Sequence, residues 1–159
     1  VKPDGEYWRR VVASPDPLKI VEAESIRAVV DAGIIPVCCG GGGVPVIRDS
    51  STGLYTGAQA VIDKDLCAAI LARETGAELL VIATDVDGVY TDWGTPQQRR
   101  IDHAKPSDLE RSQFADGSMG PKVRAACRFV RRTGQRAVIG SLEDIGDIVA
   151  GRAGTLIEP

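Results

Sequence analysis

The sequence predicts an α/β domain, a mostly parallel sheet with helices on its faces. Three observations carry that prediction. Helix-type and strand-type segments alternate at least four times along the chain, the pattern of βαβ units. The segment LLVIAT (79–84) is a continuous apolar run, as expected of a strand buried on both faces. The apolar runs end in unusual loops, GGGGVP, TDVDGVY and IGSLED, at the carboxyl ends of strands, where such sheets bind ligands.

Residues 1–18 read as a polar lead-in, because the prolines of SPDP (14–17) suit neither a helix nor a central strand. EAESIRAVVDAG (22–33) reads as a helix, with Ile26, Val29 and Val30 at helical spacing and Gly33 as its stop. Ile34–Cys39 has the length and apolarity of a strand, and Val44–Ile47 of a second short one. Asp63–Thr75 is the next helix, with Asp63 as N-cap, Leu66, Ala69 and Ile70 on its apolar face and Gly76 at its end. LLVIAT follows as a strand and DVDGVY breaks it. The stretch 91–118 is polar and irregular, apart from a turn of helix over 107–112. The helix Pro121–Thr133 turns Val123, Ala126, Cys127 and Val130 inward and Arg124, Arg128, Arg131 and Arg132 outward. RAVIGS is a strand, LEDIGDIVAG a helix and GTLIE the last strand.

The chain has 159 residues, enough for one domain that buries roughly 70% of its unfolded surface. At 43% hydrophobic it is too apolar for a disordered chain. A net charge of -3 with scattered arginine pairs gives no footprint for nucleic acid or an anionic membrane. The longest uncharged run, Ala32–Ile47, contains five Gly and two Pro, and no stretch reaches the ~20 apolar residues of a membrane helix. Cys38, Cys39, Cys67 and Cys127 show no C-x-x-C spacing, so a reducing, cytoplasmic setting is expected rather than a disulfide framework or zinc site. A single histidine, His103, nearly excludes His-based triads and metal clusters. The chain opens on valine, and the expectation is that it has been excised, processed or is incomplete.

Four segments carry candidate chemistry. Gly40–Gly43 follow a buried-type strand, so the backbone can approach a bound group and turn its N–H groups to an anion; the alternative is a flexible loop. The register fits neither a dinucleotide fingerprint, because Pro45 takes the sixth position, nor a Walker loop. In Asp63-Lys64-Asp65 a lysine occupies the first turn of a helix, where a cation is disfavoured by about a few tenths of a kcal/mol. Asp65 either answers Lys64 as a surface ion pair or belongs to an anion site. In GSMGPK (117–122) Pro121 suits the first helical position, and Lys122 is again at a helix start. Two lysines at helix starts beside glycine loops call for an anion such as phosphate. TDVDGVY (84–90) contains the turn signal Asp87-Gly88; Asp85 and Asp87 could also touch Mg²⁺ through water, and Tyr90, Trp8 or Trp93 could stack on a base or simply pack.

Together these segments resemble the carbamate kinases of the amino-acid kinase family. The likeness runs through RRVVASPDP (9–17), AGIIPVCCGGGGVPVI (32–47), AVIDKDLCAAILA (60–72), LLVIATDVDGVYTDWGTPQQ (79–98), QFADGSMGPKVRAACRFVRRTGQRAVIGSLED (113–144) and GRAGTLI (151–157). Ala13, Cys38-Cys39 and a slightly shortened 99–112 depart from the family pattern outside the phosphate-handling motifs. The resemblance implies a three-layer αβα sandwich with a mostly parallel sheet. It also implies that this is the C-terminal, nucleotide-binding half of a kinase about twice as long, the other half preceding Val1. By motif, Lys64 and Lys122 contact the transferring phosphoryl group and the nucleotide phosphates, and Asp65 with Asp63 orients those lysines. The resemblance implies that Thr84, Asp85, Gly88, Val89, Tyr90, Met119, Gly120 and Pro121 form the nucleotide pocket and that Gly40, Gly41, Gly42 and Gly43 lie near the acceptor and the transferred phosphate. The implied substrates are ATP or ADP with Mg²⁺, and carbamate or carbamoyl phosphate in arginine metabolism. A cytoplasmic homodimer is expected. The alternatives are a nucleotide-binding fragment without activity of its own, or another amino-acid kinase.

Overall fold

The computed structural model of the chain describes residues 1–112, 114 and 118–159. Strands β1 (Lys2–Asp4) and β2 (Tyr7–Arg9) make an antiparallel hairpin, so the polar lead-in is not wholly irregular. Helix α1 (Ala23–Asp31) is followed by a second hairpin, β3 (Val46–Arg48) with β4 (Tyr55–Gly57). Then come α2 (Lys64–Thr75), β5 (Leu79–Thr84), the hairpin of β6 (Val89–Thr91) with β7 (Arg99–Ile101), and β8 (His103–Ala104). The chain ends with α3 (Pro106–Leu109), α4 (Met119–Thr133), β9 (Arg136–Ser141), a 3-10 turn over Leu142–Asp144, α5 (Ile145–Val149) and β10 (Thr155–Ile157).

The main sheet has the order β5-β9-β10-β8. Two of its pairings, β5 with β9 and β10 with β8, are parallel, while β10 runs antiparallel to β9. Strand β9 shows why its sequence is apolar almost throughout: Ala137, Val138, Ile139 and Gly140 are all buried. Side chains alternate across a strand. Ala137 and Ile139 join Leu80 and Ile82 in the cluster formed with α2 and α4, which includes Leu66, Ala126, Phe129 and Val130. The opposite face meets α5, where Ile148 is so close that a Cβ on Gly140 would lie 2.8 Å from it. Helices thus cover both faces, which is the three-layer arrangement.

Local signals set the ends of the long helices. The Asp63 side chain accepts hydrogen bonds from the N–H groups of Asp65 (2.9 Å) and Leu66 (3.0 Å), satisfying two donors that have no partner inside the helix. Gly76 and Gly134 close α2 and α4 in the left-handed conformation, at φ 73° and 70°. Helix α4 begins at Met119, so Pro121 is its third residue and not its first. That position still tolerates proline, because N–H groups of the first turn have no intrahelical acceptor.

The expected strand Ile34–Cys39 does not form: no ladder includes these residues, and Ile35 and Val37 are 91% and 100% exposed. A strand needs a neighbour for its N–H and C=O groups, and no described strand lies against this run. The second expected strand forms slightly later, as β3, because Tyr55–Gly57 supplies it with a partner. In the polar stretch 91–118, β7 and β8 form where that stretch was expected to be irregular except around 107–112, and β8 is recruited to the sheet by β10.

Candidate active site

Two short connections decide where the candidate residues collect. Helix α2 passes to β5 through residues 76–78, and α4 passes to β9 through 134–135. Each helix therefore runs back along the strand that follows it, and its N-terminus lies at that strand's carboxyl end. Since β5 and β9 are parallel, both helix starts, the loop after β5 and the end of β9 share one edge of the sheet, where α/β folds bind ligands.

At that edge Lys122 Nζ donates to Asp65 Oδ2 at 3.0 Å, across 57 residues of sequence. Both side chains are nearly enclosed, 13% and 9% exposed. Lys64 Nζ stands 3.8 Å from the same oxygen and is 60% exposed. Asp65 is thus not the surface partner of Lys64 that local spacing allows. It holds the buried Lys122 first and Lys64 second. Asp65 is shared between two ammonium groups and the Asp63 carboxylate already caps α2, so what the site offers an anion is the exposed Lys64 ammonium and the start of α4, which no described side chain caps. That combination suits a multiply charged anion.

The glycine run lies against the same segment. Gly42 is buried at φ 129°, and a Cβ there would lie 2.9 Å from the carbonyl carbon of Ile62, the residue before Asp63. Cys39, Gly40 and Gly43 also have positive φ. The N–H groups of Gly40, Gly42 and Gly43 donate to the carbonyls of Cys38 and Cys39. Gly41 alone of the four keeps an N–H without a main-chain acceptor among the described residues. As folded, the loop is a tight turn seated on Ile62, not an open cradle of four donors. Burial pushes the neighbouring Cys67 thiol up to about 12 and Cys127 up to about 11, so both stay protonated and belong to the packing.

The loop 84–90 is held by residues that the sequence reading did not single out. Thr155, fully buried, accepts from the Val89 N–H at 2.7 Å and donates to the Ile101 carbonyl. Arg100 Nε stands 3.2 Å from Asp87 Oδ2, and its guanidinium also reaches Asp102 and the carbonyls of Asp87 and Gly154. A Cβ on Gly88 would lie 2.8 Å from Thr155 Oγ1 and 3.1 Å from Arg100 Nε. Gly88 is therefore needed for this close approach and not for a positive φ, since it has none. Asp87 also accepts from the Tyr90 hydroxyl at 2.7 Å, which pushes the Tyr90 pKa up, and Tyr90 meets Trp93 edge-on at 5.2 Å. Val89 has its side chain in the core, whereas Thr84 and Asp85 remain accessible and hydrogen-bonded to each other at 3.0 Å. Among the described residues no three metal-ligating side chains converge.

Thr155→Val keeps the shape but strands the Val89 N–H and the Ile101 carbonyl, so a loss of about 1–2 kcal/mol in unfolding free energy is expected. Thr155→Ser should recover most of it in urea titrations. Equal stability of the two variants would remove Thr155 as the anchor of this loop.

At the start of α4, Met119 packs partly against the core, Gly120 is buried and Pro121 is half-buried. Gly117 of the same motif lies outside the described residues. A groove of about 700 Å³ runs from Gly120 past Leu66 and Val123 to Arg128, which pairs with Asp16 at 3.1 Å. It lies along α4 and does not include Lys64 or Lys122. The pair of lysines, not the groove, is the candidate centre, because it joins the nearly enclosed Lys122–Asp65 pair to two helix starts.

The amino acid kinase family model matches residues 4–141. A carbamate kinase of Escherichia coli O6:H1 is 53% identical over 157 residues, covering 99% of this chain and 51% of that protein. A carbamate kinase of Pyrococcus horikoshii is 47% identical over 164 residues, covering 100% and 52%. The solved structure of Giardia lamblia carbamate kinase bound to AMP-PNP superposes with a TM-score of 0.88 at 39% identity, over 93% of this chain and 53% of that one. The chain spans about half the length of the curated relatives it matches. Among the described residues no helix is long and apolar enough to cross a membrane. With a family match over most of its length and an α/β fold that superposes on a family member, this chain belongs to the amino acid kinase family.

Proposed function

We propose that this chain supplies the nucleotide- and phosphoryl-handling half of a carbamate kinase, which transfers a phosphoryl group reversibly between ATP and carbamate. The observation that carries the reading is the Lys122–Asp65–Lys64 cluster at two helix starts on the carboxyl edge of the sheet. Carbamate is already an anion, so the reaction needs no general base, and phosphoryl transfer depends mainly on in-line positioning and neutralised charge. In the ATP-forming direction, an oxygen of the ADP β-phosphate attacks the phosphorus of carbamoyl phosphate. The bond from phosphorus to the carbamoyl oxygen breaks and carbamate leaves. Lys122, fixed by Asp65, is suited to the charge on the transferring group, and the more exposed Lys64 can follow that group between donor and acceptor. Thr84 and Asp85 are the accessible members of the loop proposed to receive the nucleotide, with Met119 and Pro121 at the start of α4.

Mg²⁺ normally combines one or two carboxylates with substrate phosphates. Asp87 is occupied by Arg100 and Tyr90, and Asp65 by the lysines. These side chains do not make a metal cage, and the ion would arrive with the nucleotide phosphates.

The half-length span favours a second reading for the isolated polypeptide, nucleotide binding without turnover. Calorimetric titration with ADP, and assay of ATP formation from ADP and carbamoyl phosphate, separate the two. The expected result is ADP binding by the chain alone and turnover only when the other half of the fold is supplied. Turnover with another carboxylate or phosphate acceptor, and none with carbamoyl phosphate, would overturn the carbamate assignment.

A further inference from the structure

We propose that Cys39 and Cys67 are a peroxide-sensitive pair, and that their oxidation to a disulfide latches the glycine turn to helix α2. The proposal does not depend on which acceptor is phosphorylated.

The main chain brings the two cysteines together. Cys39 opens the glycine turn at φ 62°, and its carbonyl accepts from the N–H groups of Gly42 (2.8 Å) and Gly43 (2.6 Å). The turn is seated on Ile62, where a Cβ on Gly42 would lie 2.9 Å from the carbonyl carbon. From Ile62 the chain enters α2, and one helical turn beyond Asp63 the Cys67 N–H donates to the Asp63 carbonyl at 3.0 Å. At this junction the side chains of Cys67 and Cys39 are in hydrogen-bonding contact. The two thiols differ in access: Cys39 is half-buried, whereas Cys67 is 4% exposed. Burial first, and then the contact with Cys39, push the Cys67 thiol up to about 12. It is therefore protonated at neutral pH and shielded from an oxidant in solvent. In the reduced protein Cys67 is a packing residue. Once its neighbour is oxidised it becomes the resolving thiol.

The chemistry balances with hydrogen peroxide as the oxidant. The Cys39 thiolate attacks one peroxide oxygen, the O–O bond breaks, and Cys39 becomes a sulfenic acid while the other oxygen leaves as hydroxide and takes up a proton. The Cys67 sulfur then attacks the Cys39 sulfur. An S–S bond forms, the S–O bond breaks, and the oxygen leaves with the Cys67 proton as a second water. Each sulfur gives up one electron, and the peroxide accepts both. The product ties the turn to the helix that carries Lys64 and Asp65.

The test uses this chain, freed of reductant and titrated with hydrogen peroxide. Peptide mapping under non-reducing conditions should recover a Cys39–Cys67 cross-link, with two of the four thiols lost and both restored by dithiothreitol. Closing the loop from 39 to 67 should raise the urea midpoint by roughly 1 M or more. Cys67→Ala should leave Cys39 as a sulfenic acid that dimedone captures, and Cys39→Ser should abolish both the cross-link and the midpoint shift. Cys127→Ser, at a buried thiol outside the pair, should change neither. A cross-link between Cys38 and Cys39, a cross-link between two copies of the chain, or none in a large excess of peroxide would overturn the proposal. A Cys39–Cys67 cross-link that leaves the urea midpoint unchanged would overturn the latch. Mapping of the unsubstituted chain decides the pairing even where a variant fails to fold.

Discussion

Asp65→Ala is expected to lower the unfolding free energy by about 3 kcal/mol, more than removal of either lysine it holds. The asymmetry follows from burial. Asp65 and Lys122 are 9% and 13% exposed, and Lys64 is 60% exposed. Without Asp65, Lys122 keeps a charge in a nearly enclosed position with no counter-ion. Without Lys122, Asp65 still faces Lys64 at 3.8 Å, and the N–H groups of Asp65 and Leu66 still donate to the Asp63 carboxylate at the helix start. Lys122→Ala should therefore be the milder change for stability and the more severe one for chemistry. In the two-half enzyme it should reduce kcat by roughly 100-fold or more, the scale for removing one donor to a developing charge, while ADP affinity falls much less. Urea titration of the single and double variants, set beside steady-state kinetics, checks both halves of this expectation. If Asp65→Ala and Lys122→Ala destabilise equally and kcat of Lys122→Ala is unchanged, the pair is an ordinary structural ion pair.

The sequence disclosed what depends on near neighbours and left open what depends on distant ones. Asp63 as a cap, Gly76 as a stop and the inward stripe Val123, Ala126, Cys127 and Val130 are all present, because caps and helical faces are set within a few residues. The strands β7 and β8 were not legible, since short polar segments become strands only when β6 and β10 offer them a ladder. Ile34–Cys39 failed in the opposite sense, a strand-type sequence without a partner. At the site, two lysines at helix starts already asked for an anion. That Asp65 serves Lys122 more than its neighbour Lys64 could not be read from spacing, because the partners are 57 residues apart. Thr155 and Arg100 gave no signal at all: their meaning comes from Gly88, which looks like a turn glycine and is a packing glycine.

Gly42→Ala should displace the glycine turn from Ile62 and cost about 2–4 kcal/mol, the sum of two separate penalties. The first is conformational: at φ 129° an L-residue is strained whatever space surrounds it. The second is steric, since the new methyl would overlap the Ile62 carbonyl, which is backbone and cannot rotate away as a flexible side chain does. Gly41→Ala, one residue earlier, meets nothing within 4 Å and has no positive φ, so it should change stability by less than about 0.5 kcal/mol. The contrast separates the geometry of the turn from its general flexibility, because a merely flexible loop would respond alike at both positions. Ile62 is joined through Asp63 to Lys64 and Asp65, so movement at Gly42 should also reach the lysine cluster. In Gly42→Ala the kcat of the two-half enzyme should fall together with stability, while Gly41→Ala keeps both. Equal and small effects at the two positions would mean that the close approach to Ile62 does not hold the turn, and that the glycine run reaches the site by some contact other than Ile62.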